Sequence, residues 1–149
     1  MNTEELIEVF SSKVDYEKLG GKEQENYNFT KIAALLSNYG FTCNLITADK
    51  HGADMLAYHI KEGFTLQIQL KGSRAKLNKK YLKRKEPLWI AYIDQKSNEL
   101  CLYDHVLAVE MFEKTSSSQT ESWKVNGKYS GVNLNRKFEK IIIRIKFSN

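Results

Sequence analysis

The run "LWIAYID", residues 88–94, constrains this chain more than any other stretch. It is almost wholly apolar and is bounded by Pro87 on one side and the polar "QKSNE" on the other. A strand sends alternate side chains to opposite faces, so an apolar run of this kind needs cover on both. The chain must supply material for two layers around a sheet. Pro87 precedes the run rather than interrupting it, which suits a central strand.

The flanking patterns provide those layers. "EQENYNFTKIAALLSNYG" is the longest helical signal, with Ile32, Leu35, Leu36 and Tyr39 on one face and Gly40 as its stop. "NTEELIEVFSSKV" predicts a shorter amphipathic helix. Asn2 and Glu5 form a capping box, Leu6, Phe10 and Val14 recur at i+4, and Gly20–Gly21 ends the segment. "FTCNLIT" (41–47) alternates as a strand, and "ADMLAYHI" and "FTLQIQLK" read as a hairpin joined by "KEG". "ELCLYD" (99–104) follows as a strand, and "DHVLAVEMFEK" as a helix capped by Asp104. "TSSSQTES" reads as a polar loop, "WKVNGKYS" as a hairpin with an Asn-Gly turn, and "KIIIRIKF" as a closing strand. This order gives an α/β (α+β) class: a central mixed β-sheet flanked by helices, in one domain over residues 1–149.

Composition narrows the class further. The chain has 149 residues, 42% hydrophobic and 28% charged, which suits one soluble globular domain. No apolar run is long enough to span a bilayer, so no membrane is expected, and the acidic N-terminus is unlike a secretory signal. Cys43 and Cys101 lie in apolar runs without metal-ligand spacing. They read as buried thiols of a reducing, cytoplasmic setting. No P-loop, G-x-S-x-G or zinc pattern occurs. Net charge is +5, unevenly spread. Residues 1–25 are acidic, whereas "KGSRAKLNKKYLKRK" (71–85) holds eight cations and no acid, the footprint of a surface for a polyanion.

That block directly follows "HGADMLAYHIKEGFTLQIQLKGSR" (51–74). Leu66, Ile68 and Leu70 share one face of the strand; Gln67, Gln69 and Lys71 share the other. A polar face of this kind is either solvated or lines a site, because burying unpaired polar groups is costly. Across a short turn, Asp54 is expected opposite residue 70 or 71, so a carboxylate, an amide and an ammonium meet at one sheet end. A hard cation such as Mg²⁺ takes oxygen ligands. Asp54, Gln69 and the Leu70 carbonyl could supply them, with Lys71 positioned to orient water or offset charge on a phosphate. An exposed salt bridge is the competing reading. His51, in the preceding turn, is a further candidate for a phosphate contact, against an ordinary turn histidine.

The pattern "GAD-x14-Q-x-K", with a helix before it and an apolar strand after it, resembles the PD-(D/E)xK nuclease superfamily over residues 23–104. The resemblance implies a restriction-endonuclease-like core with residues 105–149 as an extension. It implies Mg²⁺- or Mn²⁺-dependent endonuclease activity on DNA, with RNA left open. Asp54 matches the aspartate that opens one strand, Gln69 the acid position on the next, and Lys71 the lysine. Glu25 matches the glutamate that many members carry on the first core helix, with Glu23 in reserve. Alanine precedes Asp54 where proline is usual, and Gln69 keeps an oxygen but loses a charge. The implied metal ligands are Asp54, Gln69, Leu70 and Glu25, and Lys71 is the catalytic lysine. Arg74, Lys76, Lys79, Lys80, Lys83 and Arg84 are the expected phosphate contacts. Cutting two strands with one small site would favour a homodimer. The alternatives are a lapsed nuclease fold that only binds nucleic acid, and a module that meets an acidic protein.

Overall fold

The computed structural model describes residues 1–47, 52–130 and 134–148. Its first elements are α1 (Thr3–Val9), α2 (Gly21–Ser37), β1 (Phe41–Leu45), β2 (Met55–His59), β3 (Thr65–Leu70) and β4 (Leu77–Asn78). A 3-10 turn (Lys79–Lys83), β5 (Leu88–Asp94), β6 (Glu99–Asp104) and α3 (His105–Glu113) follow. The chain closes with α4 (Glu121–Lys124), β7 (Lys128–Tyr129), α5 (Leu134–Lys137) and β8 (Ile143–Lys146). Six strands form one mixed sheet in the order β1-β2-β3-β5-β6-β8. β3 and β5 are parallel and the other neighbours antiparallel. The protein is therefore a mixed α+β fold.

β5 is covered on both faces, as its composition requires. Ala91 and Ile93 pack with Ile32, Leu36, Met55 and Ile68 beneath α2. Ile90 and Tyr92 pack with Tyr103, Phe112, Trp123 and Phe138 on the other face. Each large side chain buried this way contributes about 1.5–3 kcal/mol. Residues 105–148 supply α3, Trp123 and Phe138 to the second layer, and β8 pairs with β6. The C-terminal part thus completes the core rather than being appended to a finished one.

Several local expectations change in three dimensions. The Asn2–Glu5 capping box is present, but α1 stops at Val9 and buries none of its residues. Leu6, Phe10 and Val14 stay exposed, as does Tyr39 beyond α2. The polar "TSSSQTES" stretch holds a 3-10 turn at Ser116–Gln119 and the start of α4. "WKVNGKYS" is not a local hairpin. Trp123, 2% exposed, is drawn into the core from a helical turn, and β7 pairs instead with the distant β4, Leu77 to Tyr129 and Asn78 to Lys128. Cys101 is buried and Cys43 half-buried, both as free thiols. Among the described residues, no helix is long and apolar enough to cross a membrane.

The β2–β3 register also differs. The connection runs over Ile60–Phe64 and is closed by Gly63 N–H donating to the His59 carbonyl (2.9 Å) and His59 N–H to the Phe64 carbonyl (2.9 Å). This longer loop sets Met55 opposite Ile68, and Asp54 N–H donates to the Ile68 carbonyl (2.8 Å). Asp54 therefore stands beside residues 68 and 69, short of the 70 or 71 expected from a tighter turn.

Candidate active site

Asp54 immediately precedes β2, and Lys71 immediately follows β3, so the antiparallel pair brings them to the same end of the sheet. The Asp54 carboxylate bends back along β3. Its Oδ2 accepts the Leu70 N–H (2.9 Å) and a hydrogen bond from the Gln69 amide. The Gln69 amide nitrogen also donates to the Leu70 carbonyl (3.2 Å). One NH₂ group thus bridges two oxygens, one from Asp54 and one from the backbone. Helix α2 ends its first turns against this point. Glu25, Asn28, Asp54, Gln69, Leu70 and Lys71 line one cleft of about 210 Å³. Glu25 is held by Lys22 at 3.1 Å on the cleft rim.

Lys71 does not pair directly with Asp54. Its ammonium donates to the Tyr81 hydroxyl (3.0 Å) and lies 5.3 Å from the centre of that ring. Tyr81 is 4% exposed and belongs to the core on the α3 side. Gly52 lets the chain leading to Asp54 pass over it. The backbone there has φ +96°, and an added Cβ would come within 2.5 Å of the Tyr81 ring. Tyr81 was not legible as a site residue, because it stands as a lone aromatic inside a run of cations. Its only sequence signal is that apolar interruption of "KKYLKRK". His51 lies outside the described residues.

Burial shapes the electrostatics of the pair. Burial pushes the Asp54 carboxyl above its ordinary range, and Glu25 adds to this; the Leu70 N–H, Lys71 and Lys22 pull the other way. Burial pushes Lys71 below the usual lysine range, with Lys128 adding to the shift and Asp54 opposing it. Both ions are thus held in surroundings that disfavour their charged forms, a condition common where charge is used in chemistry.

The donor set suits a hard cation in part. Two oxygens, Asp54 Oδ2 and the Leu70 carbonyl, already converge on a donor, the place a cation would take, and Glu25 stands across the cleft. In the orientation described, Gln69 turns its nitrogen to them. Rotation of the amide by half a turn would present its oxygen, and a cation between the three oxygens would favour that rotamer. Among the described residues, no group of three or more His, Cys, Asp or Glu side chains gathers as a ready metal cage. The site therefore offers few anionic ligands and would leave several positions to water.

The expected phosphate contacts divide. Arg74, Lys76, Lys80 and Lys83 are exposed. Lys79 is half-buried, with its ammonium 4.9 Å from the centre of a Trp123 ring. The Arg84 guanidinium donates to the Gln67 side chain and is also half-buried. These last two serve the fold as much as the surface. Comparison with known proteins returns no match among family models, curated proteins or solved structures.

Proposed function

We propose that this chain is a metal-dependent nuclease of the PD-(D/E)xK type that hydrolyses phosphodiester bonds of DNA. The observation that carries the reading is the meeting of the Asp54 carboxylate, the Leu70 carbonyl and the Gln69 amide at one point, in a cleft that also holds Glu25 and Lys71. Support also comes from the exposed Arg74, Lys76, Lys80 and Lys83, which follow β3 directly. Cations so placed attract a phosphate backbone without reading its sequence.

Asp54, the Gln69 side-chain oxygen and the Leu70 carbonyl would hold the cation, with Glu25 reaching it directly or through water. When bound, such a cation polarises the scissile phosphate and eases deprotonation of the attacking water. Lys71 donates to a phosphate oxygen and offsets the negative charge that grows as the P–O bond to the leaving group breaks. Tyr81 fixes the direction of that ammonium, so little ordering remains to be done when substrate arrives.

The test is cleavage of plasmid and single-stranded DNA with Mg²⁺ or Mn²⁺ by the wild type, Asp54→Ala and Gln69→Glu. The expected result is metal-dependent cleavage by the wild type, none by Asp54→Ala, and activity at lower metal concentration in Gln69→Glu. A second reading, a nuclease fold that binds nucleic acid without cutting it, is favoured by the amide at position 69 and by the sparse carboxylates. DNA binding by a wild type that neither cleaves nor takes up metal would establish it. Loss of salt-dependent DNA binding as well would leave a protein-interaction module.

A further inference from the structure

The carboxylate cleft has a neighbour. On the other side of Lys71 lies a pocket of about 490 Å³, inside the ~300–1,000 Å³ range of small-ligand sites. Its walls come from two distant parts of the chain. Lys76, Asn78, Lys80 and Tyr81 stand on one side, and Ser122, Lys128 and Tyr129 on the other. Lys71 belongs to both cavities.

The pocket is a built feature of the fold. The β4–β7 ribbon joins its walls, and Lys79 N–H donates to the Gly127 carbonyl at 2.7 Å. Gly127 adopts φ +64°, and a Cβ there would press on Lys79 Cβ at 3.1 Å, so the approach depends on glycine. The Ser122 hydroxyl donates to the Lys128 carbonyl (2.7 Å) and fixes the strand that carries Lys128. Asn78 N–H donates to His105 Nε2 (3.2 Å), and Asn78 Oδ1 accepts from Lys80 N–H (3.1 Å). Among the described residues, four lysines and no carboxylate line this concave space. Their mutual repulsion is tolerated in the free protein and would be relieved by an anion.

We propose that this pocket binds one nucleotide of an unpaired strand, the neighbour of the scissile phosphate, with its phosphate held between Lys71, Lys80 and Lys128. The inference rests on the nuclease reading for what lies next door, and it assigns the C-terminal ribbon to substrate binding. A base inside a duplex remains stacked and cannot enter a concave site of this kind. Entry costs least for a strand that is already single. The pocket therefore favours single-stranded ends, gaps or loops over intact duplex.

The experiment is calorimetry in chelator, with a deoxynucleoside 5′-monophosphate, inorganic phosphate, an oligothymidylate and a duplex of equal length as probes. Lys128→Ala removes a solvent-exposed side chain and leaves the β7 backbone pairing in place. Lys96→Ala, in the turn between β5 and β6, controls for general loss of charge. The expected result is that the monophosphate binds more tightly than inorganic phosphate. Lys128→Ala should weaken monophosphate and oligothymidylate binding about tenfold, the scale of one charge-assisted hydrogen bond, and Lys96→Ala should not. The duplex should lose far less. Equal binding of the monophosphate and phosphate, or wild-type affinity in Lys128→Ala, would overturn the proposal. Because no metal is present, failure here beside intact Asp54-dependent cleavage removes the pocket and leaves the nuclease. Monophosphate binding without cleavage removes the nuclease and leaves a nucleotide site.

Discussion

At the β6–β8 edge, Arg144 is ringed by carboxylates: Asp94 at 3.7 Å, Glu99 at 3.4 Å and Glu139 at 3.2 Å. At the end of β2 and β3, Asp54 and Lys71 share a cleft without pairing, each engaged by a neutral partner. The two clusters are oppositely tuned. The hydrogen bond to Glu139 holds the Arg144 guanidinium pKa above its ordinary value. Burial instead raises Asp54 and lowers Lys71, toward their neutral forms. A cluster that stabilises its own charges is complete and serves the fold. One whose surroundings disfavour its charges would gain from a further ion or a polyanion, and this marks it as a candidate site.

The largest expected difference is in activity. Asp54→Ala should lower metal-dependent cleavage by about a thousandfold or more, the scale for removing a group that acts directly on transition-state charge. Arg144→Ala should leave the cleavage rate unchanged. Equal loss in both variants would break the contrast.

Stability should respond the other way round. Arg144→Ala should cost about 1.5–3 kcal/mol, the worth of hydrogen bonds between charged groups, and lower Tm by about 5 °C. Thermal melts at pH 7 would measure it. Asp54→Asn should melt no lower than the wild type at pH 7 and somewhat higher if the carboxylate is costly. The sign follows from the raised carboxyl pKa: the folded state binds the Asp54 proton more tightly than the unfolded state, so wild-type stability falls as pH rises through that range. The advantage of Asp54→Asn should therefore fade as pH drops toward the ordinary carboxylate pKa. A lower melting point for Asp54→Asn at pH 7, growing smaller in acid, would place Asp54 with Arg144 among structural ions.

The smallest effect concerns Tyr81. Tyr81→Phe keeps the ring under Gly52 and removes the acceptor for Lys71, a bond worth about 0.5–1.5 kcal/mol. The turnover rate should fall about two- to tenfold with little change in KM or melting temperature. A change in KM alone would move Tyr81 from orienting Lys71 to binding substrate.

Much of the fold was legible where the signal is local. The apolar run at 88–94 and the strand read at 99–104 coincide with β5 and β6, and Asp104 caps α3 by accepting from Leu107 N–H (3.1 Å). The proximity of Asp54 and Gln69 followed from strand alternation and one hairpin, although the longer loop shifted the register. What was hidden depends on distant partners. Nothing near Lys128 signals that it pairs with Asn78, and Tyr81 reads as part of a charged surface until the chain before Asp54 folds over it. The i+4 spacing of Leu6 and Phe10 specified a helix but not a core to receive it.

We propose that the Asp54 cleft binds a divalent cation, and the account turns on that. A calorimetric titration of Mn²⁺ into the wild type, with Asp54→Ala alongside, tests it most directly. The account predicts one saturable site per chain in the wild type and none in Asp54→Ala, with both proteins folded by circular dichroism. Absence of Mn²⁺ binding by the folded wild type, or equal binding by Asp54→Ala, would contradict it.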